Sequence, residues 1–240
     1  EEINELATWV GRELGPDAPA AGGAALTYRG LTAFHVPLAA TSLLVLLLQP
    51  MVTSSLARLE RPTLSLAAWP IVFQIALMAR AAAMALPEVV IARLEDTRTF
   101  APLRRFSLAL TVVVTAGMAL FVFTPAARLY IFGAQDMTPE AGDLALSSLA
   151  LFLLLPGLSV LVSWLRGLLI QGRHTRYVNV GMAINLSITG GVLVLGVMRR
   201  WPGLPTAALA MNLALLGEVL YLAWRTRSTL PVGLPLFGRS

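Results

Sequence analysis

The chain has 240 residues, 57% of them hydrophobic and only 13% charged. Soluble domains are about 25% charged, so this composition, with a mean hydropathy of +0.74, excludes an ordinary soluble globule and places the protein in a membrane. All 18 basic residues are Arg; the missing Lys reads as codon usage. A pI near 10.6 would suit a nucleic-acid partner, but the arginines sit at the ends of apolar segments, where they act as topology signals. Cysteine is absent, which removes disulfide frameworks and thiolate metal sites.

The sequence opens EEINEL, without Met and without the basic-then-apolar pattern of a signal peptide, as a fragment of a longer chain would. Ile3, Leu6, Ala7, Val10 and Leu14 recur at helical spacing with Glu1, Glu2, Glu5, Arg12 and Glu13 on other faces. That pattern predicts a short amphipathic helix, lying at the interface or packed on the bundle. The Gly/Pro/Ala-rich stretch that follows reads as a linker, so residues 1–30 form one unit. Residues 31–227 carry the spanning segments, and 228–240 are a loose tail.

Six spans are expected, since a hydrocarbon core of about 30 Å takes about 20 helical residues. The first covers Phe34–Leu56, with Pro37 near its start and Gln49-Pro50 inside. The second is Leu64–Arg93, with Pro70 and Pro87 within it. The third is Phe106–Phe123, ending at Thr124-Pro125. A short interfacial segment with Tyr130 and Phe132 comes next. Thr138 or Asp136 is placed to cap the following helix, with Pro139 and Glu140 in its first turn. The fourth span, Glu140–Ile170, is broken at Pro156-Gly157; the fifth is Tyr177–Val197 and the sixth Pro205–Trp224. Six spans put both termini on one side. That side then holds twelve arginines against five, with Arg80 inside the membrane, which accounts for all 18. The bias puts the termini in the cytoplasm. Trp201, Trp224, Tyr177 and Tyr130 fall where an aromatic belt belongs.

Arg80 is the residue to explain. A guanidinium at membrane depth costs at least ~2.5–3.5 kcal/mol on insertion scales, so it faces a partner or a wet cavity. One reading puts it on the path of an anionic or phosphate-bearing substrate. The other is a structural Arg–Glu tie, or an Arg that snorkels to the interface. Its possible counter-charges are Glu88, two turns along the same helix, and Glu218 in the last span. Both are also candidate coupling carboxylates, since burial raises a carboxyl pKa. Glu88 can equally be an interfacial acid beside the cluster starting at Arg93, and Glu218 lies about two turns from Arg225. Gln49, Gln74, Asn185 and Asn212 are amides within spans; they line a cavity or, more commonly, bond neighbouring helices. Gly190-Gly191 reads as a site of close helix approach. His174 and His35 have no second ligand at metal spacing, so no metal site is expected. No P-loop, HExxH, GxSxG or GxGxxG appears, which argues against an enzyme and against a nucleotide-driven motor.

Three phrases carry a resemblance: FHVPLAATSLLVLLLQPMV, the AAWPIV opening of the second span, and PGLSVLVSWLRGLLIQGRHTRYV, within which RGLLIQGRHTR (Arg166–Arg176) weighs most. Together with helix order they resemble the MOP flippase superfamily, which includes multidrug and toxin extrusion transporters, lipid II flippases and polysaccharide flippases. Within it, the progressive ankylosis protein and its bacterial relatives look most similar. The resemblance covers about Phe34–Thr226. It implies an all-α polytopic membrane protein whose six transmembrane helices form one lobe, the C-terminal one, of a two-lobe transporter. It also implies alternating access, with Arg80, Gln49, Gln74 and Asn185 lining the path of a small organic, anionic or lipid-linked substrate. Residues 1–30 then resemble the inter-lobe connection. The partners implied are the bilayer, in the bacterial cytoplasmic (inner) membrane, and an N-terminal lobe or a second copy. No cofactor is implied beyond an unassigned H+ or Na+ as coupling ion. A non-transporting membrane scaffold is the alternative. It predicts that Arg80 and Glu218 satisfy one another and leave no polar concave face.

Overall fold

The computed structural model describes residues 46–94 and 97–229. The amphipathic Ile3–Leu14, its linker, the opening of the first span with Pro37, and the tail beyond Thr229 lie outside them. The described residues form helices α1 (Leu46–Leu56), α2 (Pro62–Arg93), α3 (Thr97–Phe123), a single turn α4 (Pro125–Arg128), α5 (Pro139–Leu149), α6 (Leu155–Gln171), α7 (Thr175–Arg199) and α8 (Gly203–Thr229). Among the described residues the sole β contact is an isolated bridge between Glu60 and Pro202, which ties the turn after α1 to the turn before α8.

Helices α2, α3, α7 and α8 are each long and apolar enough to cross a membrane, and α5 with α6 makes a fifth span if the bent pair counts as one. This is an integral membrane protein of four to five such helices. The expected sixth rests on Phe34–Leu56, of which eleven helical residues, Leu46–Leu56, are described; alone these are about half of a crossing. Phe106, Val112, Val113, Leu120 and Phe123 of α3, and Val194 and Met198 of α7, are exposed. Acyl chains solvate such a surface as well as protein does.

Helix α6 is the hub, packing on α2, α3, α7 and α8. Small residues let its neighbours come close. A Cβ at Gly167 would lie 2.8 Å from Val90 Cβ of α2, and one at Gly157 would strike the Thr115 hydroxyl of α3. In lipid, where apolar burial drives little helix association, such backbone approach is a main source of packing energy. Gly190-Gly191 does not act this way. A Cβ at Gly190 would make only ordinary contact with Met51, and one at Gly191 would meet nothing within 4 Å.

The fourth span breaks four to six residues earlier than the Pro156-Gly157 expectation. Helix α5 ends at Leu149, a 3-10 turn covers Ala150–Phe152, and α6 starts at Leu155, bent by 41° from α5. Pro156 then sits in the first turn of α6, where a missing N–H is tolerated. The break frees backbone carbonyls, and one is answered: Asn212 Nδ2 of α8 donates to Leu151 O at 2.8 Å and to Ala208 O at 2.8 Å. The interhelical role expected for that amide holds. At the start of α5, Pro139 and Glu140 occupy the first turn as expected, but the cap differs. Thr138 holds the N-cap position with no side-chain bond, and Asp136 is a left-handed turn residue with φ 48°. The interfacial segment before it continues α4 into six residues of π-helix, Leu129–Ala134, with the Tyr130 ring edge-on to Phe121. Helix α8 runs to Thr229, two residues into the expected tail.

Candidate functional site

Helix α2 buries Ser65, Ala68, Trp69, Val72, Ile75, Ala76, Ala83, Leu86 and Val90. These fall three or four apart, the spacing of one helix face. The stripe skips one turn, between Ala76 and Ala83, and Arg80 stands in that gap. A residue there faces the bundle rather than lipid. On α6, Ser159, Val162, Ser163 and Arg166 follow the same spacing and face the same space. Asn185 comes from α7, and Glu218 comes from α8 behind it.

Glu218 is completely buried, at 0% exposure, and Arg166 is 26% exposed. Arg166 Nε donates to Glu218 Oε1 at 2.8 Å and Nη2 donates to the same oxygen at 2.5 Å. Asn185 Nδ2 donates to Oε2 at 2.9 Å. Both carboxylate oxygens are therefore occupied by donors from two other helices, which is what a buried ion needs to be tolerated. Gly181, one turn from Asn185, admits α8 at this level: a Cβ there would lie 3.4 Å from Glu218 Cγ and 3.0 Å from Leu222 Cδ2.

Arg80 is outside this arrangement. Its Nε is buried without a hydrogen-bond partner, and among the described residues no carboxylate pairs with it. It does lie within electrostatic reach of both Arg166 and Glu218. Arg80, Arg166, Asn185, Ser159 and Ser163 line one cavity of about 290 Å³, walled otherwise by apolar side chains of α1, α2, α6, α7 and α8. Met84 of the wall is 62% exposed, so the cavity opens at the surface. Ser159 Oγ donates to Leu155 O at 2.8 Å, while Ser163 has no partner among the described residues. Two guanidiniums against one carboxylate leave one uncompensated positive charge.

The other expected residues fall elsewhere. Gln49 is half-buried and does not line this cavity; Gln74 and Glu88 are exposed and do not either. The pairing of Arg80 with Glu218 is replaced by Arg166 with Glu218. The proximity of Arg225 to Glu218 also leads to no bond. The Arg225 guanidinium lies 4.3 Å from the Trp224 ring centre and 4.8 Å from that of Tyr177, so it is held among aromatic rings instead. His174 rests against the Tyr177 ring. Among the described residues no cluster of His, Asp and Glu could hold a metal ion. Arg166 is the residue the sequence does not point to: it counts among the twelve arginines on the side of the termini, yet it enters the site beside Glu218. Its signal was spacing, since it shares a face with Ser159 and Ser163 of an otherwise apolar helix.

No family model, no curated protein and no solved structure matches this chain. The likeness to the MOP superfamily therefore rests on the phrases quoted above.

Proposed function

We propose that this chain is the substrate-handling lobe of a secondary transporter for an anionic organic solute, working by alternating access. The observation that carries the reading is the Arg80 guanidinium, set in an open polar cavity with no counter-ion. An intramembrane cation is expensive, and it marks a ligand path when its partner is missing. The scaffold alternative requires Arg80 and Glu218 to satisfy one another, and Glu218 is engaged by Arg166 and Asn185 instead.

The finer architecture belongs to the same proposal. Phe34–Leu56 and the α5–α6 pair complete six spans of a MOP-type lobe, in a bacterial cytoplasmic membrane with both termini cytoplasmic. An N-terminal lobe or a second copy closes the cavity from the other side. Glu218 is better placed than Glu88 to couple H+ or Na+ movement, because it is buried and accepts hydrogen bonds from two cavity residues, Arg166 and Asn185, whereas Glu88 is exposed.

The test is uptake of radiolabelled organic anions into vesicles holding the full chain, comparing the parent with Arg80→Gln. Loss of the charge-assisted contact, worth about 1.5–3 kcal/mol, lowers affinity by roughly tenfold or more. Gln74→Ala, on the outer surface, leaves uptake unchanged. Equal uptake by the parent and Arg80→Gln sinks the claim.

A further inference from the structure

The charge count of the cavity says more than its sign. This step rests on the transport reading above and narrows its substrate. Glu218 is saturated by Arg166 and Asn185. Among the described residues no other ionised group lines the cavity. What remains is one planar guanidinium with donors to spare, one half-buried serine hydroxyl, and apolar walls. A volume of about 290 Å³ lies at the lower end of the usual ~300–1,000 Å³ range for ligand pockets.

We propose that this cavity binds a small organic monoanion, its carboxylate held fork-to-fork by Arg80 and its apolar body against the wall formed by Met84, Val162 and Leu215. One carboxylate neutralises the spare charge. A second negative group on the ligand, or a phosphomonoester with nearly two charges, would be desolvated with no unpaired cation left among the described residues, since Arg166 is taken by Glu218, and is rejected on that ground. Arg guanidinium geometry matches a carboxylate through two parallel hydrogen bonds. Arg166 acts here as a positioning residue that keeps Glu218 from quenching Arg80.

Three aromatic probes separate the alternatives: benzoate with one charge, terephthalate with two, and benzamide with none; 4-carbamoylbenzoate, which has the shape of terephthalate and a single charge, is the control for size and binds more tightly than terephthalate. Equilibrium binding is measured calorimetrically on the purified full chain, with fold checked by circular dichroism and gel filtration. The parent binds benzoate more tightly than terephthalate or benzamide by roughly tenfold or more, the scale of one charged hydrogen-bonded contact. Arg80→Gln loses that preference. Glu218→Gln frees a second cation and reverses the order in favour of terephthalate. Since that variant leaves Arg166 unpaired and can fail to fold, the charge-neutral double variant Arg166→Met/Glu218→Met is the companion, and it keeps benzoate binding. Terephthalate binding as tight as benzoate in the parent overturns the monoanion rule. Loss of benzoate binding in a folded double variant transfers the grip from Arg80 to Arg166 and overturns the assignment. Benzoate counterflow in vesicles reads the other claim separately. Binding without counterflow removes transport and leaves the site; counterflow of another solute without benzoate binding removes this inference alone.

Discussion

The ion pair between α6 and α8 makes an ordered prediction about stability. Breaking a buried pair from one side costs about 3–5 kcal/mol, because the other charge is left uncompensated. The two sides are not equivalent here. Arg166→Met strands Glu218, which has 0% exposure and only the Asn185 amide remaining, so its loss falls toward the upper figure. Glu218→Met strands Arg166, which at 26% exposure can turn its guanidinium into the open cavity, so its loss falls toward the lower one. The nearby Arg80 narrows the difference, since it attracts a stranded Glu218 and repels a freed Arg166, but it makes no hydrogen bond to Glu218, and the access of Arg166 to the open cavity decides the order. Replacing both by Met removes the desolvation problem and brings stability back to within about 1 kcal/mol of the parent, or above it. The measurement is a double-mutant cycle on reversible unfolding in mixed detergent micelles. The interaction between the sites, the two single losses less that of the double variant, is then about 7 kcal/mol, against the ~0.6 kcal/mol average for polar contacts between membrane helices. A coupling below ~1 kcal/mol would falsify the claim that this is a desolvated, fully satisfied pair. So would a Glu218→Met variant clearly less stable than Arg166→Met.

Two further outcomes test the packing that holds the site. Gly167→Ala drives a methyl against Val90, whose Cβ would be 2.8 Å away; overpacking of this kind destabilises by about 1–3 kcal/mol. Val90→Ala in the same chain removes the two γ-methyls, at 2.9 and 3.2 Å, but keeps the Cβ, so it restores only part of the loss; absence of any rescue in the same unfolding assay refutes the contact. Asn212→Leu leaves the Leu151 carbonyl at the α5–α6 break without its donor. It costs about 1–2 kcal/mol, and amide exchange accelerates locally around residues 150–155 rather than across the bundle. Uniform acceleration would place the role of Asn212 elsewhere.

Much of the architecture was legible because lipid imposes a simple code. Apolar runs of span length located α2, α3, α7 and α8 to within a few residues at most ends, except the start of α3. Thr124-Pro125 set the end of α3. What was not legible follows from the same code. Pro156 marked a break, but proline fits the first turn of a helix as readily as it disrupts the middle of one. The break therefore moved upstream of it, to where Asn212 meets the freed carbonyl. Gly190-Gly191 looked like a packing site by composition alone. The glycines that carry close approach, Gly157 and Gly167, are single residues whose meaning depends on which helix lies opposite.

The charges show why the site itself was only partly readable. Along the sequence, Arg80 is the one arginine placed inside the membrane, with Glu88 and Glu218 as possible counter-charges, and with Glu218 it would make one balanced pair. Arg166 is five residues from the end of α6, about 7.5 Å at 1.5 Å per residue, which is within snorkelling reach of the surface. By sequence it therefore counts with the twelve arginines on the side of the termini. Its side chain points the other way because Ser159, Ser163 and Arg166 share the face turned toward Asn185 and Glu218. Once Arg166 is counted inside, a balanced pair becomes three charges with one left over. The spare charge is a property of how α6, α7 and α8 meet, not of Arg80 alone. A substitution at Asn185 or Gly181, neither of them charged, should alter anion binding through Glu218 as surely as a change at Arg80 does.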